Sequence, residues 1–263
     1  MLLAGLYDII GFDKNSNHKT LVEGKYMLKK LMAAIIATVS LTVGMALGQE
    51  SSDNGSKYSD MLYAEFGRNI ISIKELNSRL EKNGYSRIPE NFISIGGGLY
   101  TLVNGFMLGG EGYKLYGSDA GNDISKTSVD ATYGFFNIGH ILYSDSKFRV
   151  YPVFSVGGGR LNLKLIEKNI LTFDAVLDGA KRSTKLSTGG LLLDVSLKAD
   201  YLLLELKKET KKPTGITIGL RLGYVFDPSK DDWTMDGLDL SDSPKTGITG
   251  PYIRFVIGTR RID

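Results

Sequence analysis

Leu191–Leu203 reads Leu-Leu-Leu-Asp-Val-Ser-Leu-Lys-Ala-Asp-Tyr-Leu-Leu. One parity holds Leu191, Leu193, Val195, Leu197, Ala199, Tyr201 and Leu203, and the other carries Asp194, Ser196, Lys198 and Asp200. Ile216–Phe226 repeats the design: Ile216, Ile218, Leu220, Leu222, Tyr224 and Phe226 share one face, and Thr217, Gly219, Arg221 and Gly223 the other. A period of two sustained over this length predicts strands with one apolar face. Both stretches exceed the roughly 9–11 residues that a tilted strand needs to cross a bilayer.

The same reading places six further strands at about 58–67, 91–103, 106–117, 127–143, 147–165 and 250–259, with the first two refined to 187–205 and 214–226. Asn104-Gly105 is a tight hairpin signal. Ser144–Ser146 and Lys207–Thr214 are the other short turns, and long connections lie near 68–90, 118–126, 166–186 and 227–249. Short turns at one end and long loops at the other match barrels that cross a membrane. With eight strands both barrel termini fall on the short-turn side. In lipid every backbone N–H and C=O must be paired within the protein, which requires a closed ring. The expected fold is therefore all-β: an eight-stranded antiparallel up-and-down transmembrane barrel with a short helix in the first long loop.

Composition narrows the classes. Hydrophobic residues make up 42% of 263, and aromatics 10%, too many for a disordered chain. The mean hydropathy of −0.06 is too polar for a bundle of membrane helices. Cysteine is absent, which excludes disulfides, thiolate metal sites, a cysteine nucleophile and a lipidated N-terminal cysteine. Glycine is high, at 32 residues. The tracts Gly96–Gly98 and Gly157–Gly159 fall inside strands, where they offer curvature and room for bulky neighbours. Neither tract carries the spacing of a phosphate-binding loop.

Residues 27–48 have the form of an export signal. Lys29 and Lys30 precede an apolar run from Leu31 to Met45, and Ala46-Leu47-Gly48 offers a cleavage point before Gln49. Residues 1–26 do not suit the front of such a signal, so Met27 is the expected start and 1–26 an upstream extension. The single expected domain is 49–263. It retains 27 basic and 26 acidic residues, which argues against a nucleic-acid partner.

The inward parity collects Glu65, Glu111, Arg160, Asp194, Lys198, Asp200, Arg221 and Arg254. An eight-stranded interior is only wide enough for side chains, and unpaired buried charge costs several kcal/mol per ion. A mutually paired, charge-plugged interior is the expectation, with Lys114 facing out. Phe106, Tyr151 and Tyr201 are expected on the lipid face near the short turns, and Tyr116, Tyr224 and Phe226 near the long loops, as two aromatic belts. Ser72-Ile73-Lys74-Glu75 fits a capping box, with Ile73, Leu76 and Leu80 on one helical face and Gly84 as the stop. Thr172–Asp178 is a second helical candidate. The fourth loop gathers Asp227, Asp231, Asp232, Asp236, Asp239 and Asp242 around Trp233, but their spacing does not match a calcium loop.

The segment 58–259 resembles the small eight-stranded outer-membrane barrels typified by the transmembrane domain of outer membrane protein A. It is also similar to glycine-rich barrels with a GGG-x-Y…GGEGY pattern, here Gly96–Tyr100 and Gly109–Tyr113. The resemblance implies the outer membrane as location, with membrane lipid and the assembly machinery as partners and surface partners met through the long loops. The ending Arg260-Arg261-Ile262-Asp263 departs from the aromatic terminus common in that family. Three functional readings follow. One is a structural or surface-interaction protein with no catalytic activity. The second is a narrow porin or ligand-binding transport barrel, with a soluble periplasmic barrel beside it, and the third a lipid-modifying enzyme that would depend on His140. No catalytic residue, cofactor or metal is expected. His140, the one histidine after residue 48, has no serine aligned on its face for a Ser–His–acid arrangement.

Overall fold

Asn104 and Gly105 both lie at positive φ, 52° and 85°, the backbone of a two-residue hairpin turn. They join the second and third of eight long strands in a computed structural model that describes residues 58–123, 125–168, 174, 183–206 and 214–261. The strands are β1 (Tyr58–Ile70), β2 (Asn91–Val103), β3 (Phe106–Gly117), β4 (Ser125–His140), β5 (Phe148–Glu167), β6 (Ser183–Leu206), β7 (Thr214–Phe226) and β8 (Gly250–Arg261). Each pairs antiparallel with its successor, and β8 returns to pair with β1 from Met61↔Arg260 to Asn69↔Tyr252. The ring is closed. No barrel strand presents an unpaired edge along this ladder, which is the property that closure confers.

Tyr58 pairs with Val103 beside the Asn104-Gly105 turn, and Arg261 with Thr214, so the barrel's first and last residues share the short-turn end. The turn between β4 and β5 is held by Asp145, whose Oδ1 accepts from the backbone N–H of Lys147 and Phe148, both at 2.7 Å. The β6–β7 turn, 207–213, lies outside the described residues, as do residues 1–57 and, apart from Asp174, the segment Thr172–Asp178.

Three strands outrun the others. The β4–β5 ladder reaches Ser125↔Glu167 and the β5–β6 ladder Ile166↔Ser183. The third long connection is therefore shorter than its sequence suggests. Along these strands the sense of the alternation inverts while the β4–β5 and β5–β6 ladders keep one continuous register. In the half nearer the short turns, the outer positions are Phe136 and Ile138 on β4, Phe154 and Val156 on β5, and Leu193, Val195 and Leu197 on β6, all exposed. Further along, the outer positions become Thr132, Asp130 and Lys126 on β4, Arg160, Asn162 and Lys164 on β5, and Lys185 and Ser187 on β6. The inner positions become apolar there: Ala131, Val129, Leu161 and Leu163 are buried.

That inner apolar surface is covered by the loops. Helix α1 (Lys74–Lys82) in the first long loop brings Leu76 and Leu80 into one cluster with Ile71, Ile73, Ile88, Leu161, Leu163, Trp233 and Ile248. Asn77 clamps the helix to the returning chain, donating to the Ile88 carbonyl at 2.9 Å and accepting from the Ile88 N–H at 2.8 Å. Trp233 donates through Nε1 to the Pro244 carbonyl at 3.0 Å. The helix does not begin with the expected capping box. Ile73 is the N-cap, with no side-chain cap, and Ser72 is exposed. Burial of Ile73 in the apolar cluster sets the start instead. Gly84, at φ +77°, ends the helix as expected.

Inward glycines make room for inward tyrosines. A Cβ on Gly96 would enter the Tyr113 ring and the Gly112 carbonyl oxygen, whereas one on Gly112, which faces outward, would find its nearest neighbour at 3.9 Å. Gly96→Val should therefore lower the urea midpoint of the detergent-refolded barrel, at a cost of about 1–3 kcal/mol from overpacking. Gly112→Val should leave it nearly unchanged.

Candidate functional site: the charged interior

Of the eight residues expected inside, seven are buried: Glu65, Glu111, Asp194, Lys198, Asp200, Arg221 and Arg254. Arg160 is not among them. The inward parity of β5 is the odd one, carried by Tyr151, Val153, Ser155, Leu161 and Leu163, so Arg160 points outward and is exposed. The same phase corrects Tyr151, expected on the lipid face and fully buried inside at 0% exposure. The inversion on β5 explains both errors. Leu161 and Leu163 look like lipid-facing residues and Arg160 like a luminal one, but beyond Gly158 the outside of the strand is the polar side.

Arg221 and Glu65 are the two hubs. Arg221, at 1% exposure, projects from β7. Its Nη1 donates to Glu111 Oε2 at 2.6 Å and to the Tyr113 hydroxyl at 3.1 Å. Its Nη2 donates to Asp194 Oδ2 at 2.8 Å and its Nε to Ser196 Oγ at 3.0 Å. Glu65, from β1, faces Lys198 Nζ at 3.1 Å, Arg221 Nη1 at 3.7 Å and Arg254 Nη1 at 3.9 Å, and it accepts from the Tyr113 hydroxyl at 2.6 Å. Tyr63 donates to Glu111 at 2.8 Å. Five different strands thus supply the acids and bases of one network.

Arg254 is held mainly by neutral groups. Its guanidinium lies 3.7 Å from the Tyr252 ring centroid and 3.9 Å from that of Tyr113. Nη2 donates to the Tyr133 hydroxyl at 2.5 Å and Nε to Ser94 at 3.2 Å. Lys198 lies 3.6 Å from the Tyr63 ring centroid. These cation–π contacts are strongest where water is excluded. In this tier Glu65, Glu111 and Asp194 face Lys198, Arg221 and Arg254, three charges against three. Asp200 sits apart, nearer the short turns, and accepts from the hydroxyls of Tyr151 and Tyr100, which are themselves 2.9 Å apart.

Asn69, Ser94 and the inward tyrosines other than Tyr151 are not marked by the sequence reading, nor is Arg260, which is buried at the short-turn end. Parity could have found Tyr252 and Arg260, because both share the phase of Arg254. Lys114 is outward and exposed, 5.0 Å from the Tyr116 ring centroid. Phe106, Tyr116, Tyr201, Tyr224 and Phe226 are outward and exposed. His140 is on the outer surface too, edge-on to Phe106 with ring centroids 4.7 Å apart, away from the interior carboxylates.

The acidic fourth loop is braced by cations on other segments. Asp242 takes a bidentate pair of bonds from Arg79 of α1, both at 3.0 Å. Asp232 accepts from Lys245 at 2.7 Å and Ser243 at 2.8 Å. Hydrogen bonding to Arg79 and to Lys245 holds these two carboxyls below the usual aspartate range. No metal-holding cluster of acids and histidines occurs among the described residues.

No protein-family profile matches the chain, and no curated protein sequence does. Solved structures to which it is similar include Neisserial surface protein A, at 8% identity and a TM-score of 0.38, covering 80% of this chain and 99% of that one. Another is Ail, the attachment invasion locus protein of Yersinia pestis, at 11% identity and a TM-score of 0.36, with the same coverage. Both likenesses are loose, and the barrel assignment stands on the closed ladder of this chain itself.

Two predictions follow from the geometry. Arg221→Met leaves Glu111 and Asp194 without their cation and should cost about 3–5 kcal/mol in reversible unfolding from lipid vesicles. Adding Glu111→Gln and Asp194→Asn should recover part of that loss. The second concerns pH. A depressed carboxyl stabilises above its unfolded value, near 4, and that contribution disappears as pH falls through the lower folded value. Protection factors of the amides in α1 and 227–249, taken relative to the intrinsic exchange rate at each pH, should therefore fall from pH 5 to pH 3, while those of barrel-strand amides near Asn104 hold.

Proposed function

We propose that this chain is a small outer-membrane barrel with a sealed interior, acting as a structural and surface-interaction protein without catalytic activity. The observation that carries the reading is the inversion of polarity along β4–β6. A sheet that is apolar outside and polar inside over one stretch, then polar outside and apolar inside over the next, has crossed from one medium into another. The ten residue steps from Phe148 to Gly158 rise about 33 Å along β5, roughly 25 Å along the axis at a 40° tilt. That is the height of the apolar band of bacterial barrels. Exposed Leu99, Leu108, Leu222, Ile253 and Phe255 continue the band around the ring. The export signal expected at 27–48 supports the same location and implies the assembly machinery as a partner.

The sealed interior supports a non-conducting role. Ions would have to pass the Arg221–Glu65 network, whose members are paired across the lumen, and then the apolar cluster of α1 and Trp233. The surface at the long-loop end is built from α1 and 227–249, joined by the Arg79–Asp242 pair, and this is where a surface partner would dock.

The test is a planar-bilayer recording of the purified protein, with heat-dependent mobility on SDS electrophoresis as the control for a folded barrel. The expected result is a mobility shift and no conductance steps. Steps whose size changes in Arg221→Met or Asp194→Asn would establish the narrow-pore alternative. A protein that stays folded and soluble in plain buffer without detergent would point to a soluble barrel.

A further inference from the structure

The outer surface just beyond the inversion carries four cations around a single carboxylate, Asp130. Lys114 on β3 and Arg160 on β5 both stand in register with Thr132 of β4, making a row across three strands. Four residues further along β5, Lys164 is directly opposite Lys185 of β6. All four side chains are exposed. The carboxylate on the same face, Asp130, accepts from Asn162 at 2.8 Å, and among the described residues no ion pair joins an acid to Lys114, Arg160, Lys164 or Lys185. Like charges facing each other across two strands destabilise the sheet unless a counter-charge lies between them.

This patch rests directly on the apolar band. Immediately below the Lys114–Arg160 row, Gly112, Gly134 and Gly158 stand side by side across β3, β4 and β5, so the outer wall is flat there. Below them come Phe136, Val156 and Leu193. A ligand that lies against this wall meets apolar surface at one end and cations at the other, as a lipid does. The height of the patch says which kind. Arg160 to Lys164 spans about 13 Å along the strand, about 10 Å along the axis, whereas the headgroup zone on each side of a phospholipid bilayer is only about 5–8 Å deep.

We propose that the outer face of β3–β6 binds a phosphorylated glycolipid of the outer leaflet. Its acyl chains lie on the apolar band, its first phosphate meets Lys114 and Arg160, and further anionic groups on its sugars lie between Lys164 and Lys185. The proposal rests on the membrane reading above and specifies which lipid that reading involves.

Binding to the detergent-purified protein is measured by native mass spectrometry. The probes are bis-phosphorylated lipid A, the same glycolipid with both phosphates removed, and phosphatidylglycerol. The expected result is at least tenfold tighter binding of the bis-phosphorylated form than of either other lipid, weakening as salt is raised. Arg160→Gln/Lys164→Gln/Lys185→Gln should lose at least tenfold of that affinity and keep the heat-dependent mobility shift, since all three side chains project from the wall. If the triple variant loses the shift, Lys164→Gln and Lys185→Gln are tested singly, each with an expected loss of at least threefold. Equal binding by variant and wild type, equal binding of the dephosphorylated form, or equal binding of phosphatidylglycerol would overturn the proposal while leaving the barrel intact. A wild-type protein with no mobility shift would instead sink the membrane reading.

Discussion

Closure of β8 on β1 is the constraint from which the rest of the molecule follows. Eight strands joined edge to edge leave no free ladder, but they enclose a space only wide enough for side chains. Every inward residue therefore meets residues from strands across the ring. A cation placed there must find its acid on another wall, as Arg221 of β7 finds Glu111 of β3 and Asp194 of β6. A tyrosine placed there needs a neighbour without a side chain, as Tyr113 uses Gly96. The glycine content of the chain and its balanced interior charge are two consequences of one geometry.

The network is costly to assemble, because each ion gives up its water. The cost is offset by multiplicity. Glu65 faces three cations and a tyrosine hydroxyl, and Arg254 is held between two aromatic faces. Removing one member leaves the others charged and dry, so the arrangement favours one register of the ring over its neighbours. A slip by one residue would carry all of these groups to the outer face.

The long-loop end obeys a different rule. There the strands of β4–β6 continue past the apolar band, and their inward face becomes a conventional hydrophobic core roofed by α1 and Trp233. One strand thus serves two environments. This is also where the reading of the sequence went wrong. The rule that polar means inside holds only below Gly158; it misplaces Arg160 and, through the parity of β5, Tyr151. The helix start was assigned from Ser72 and Glu75, yet the burial of Ile73 decides it.

The sequence by itself determined the strand count, the Asn104-Gly105 turn, the short-turn and long-loop ends, and the phase of β1, β6, β7 and β8, because these depend on neighbouring residues and a period of two. It also marked most of the interior charges. Only the tertiary structure decided which acid meets which base, that Asp200 accepts from two tyrosine hydroxyls, and that the surroundings of the sheet change part-way along β5. Those facts depend on which strands face each other across the lumen and on how far each strand extends beyond the band. Neither distance is written in the local alternation of side chains.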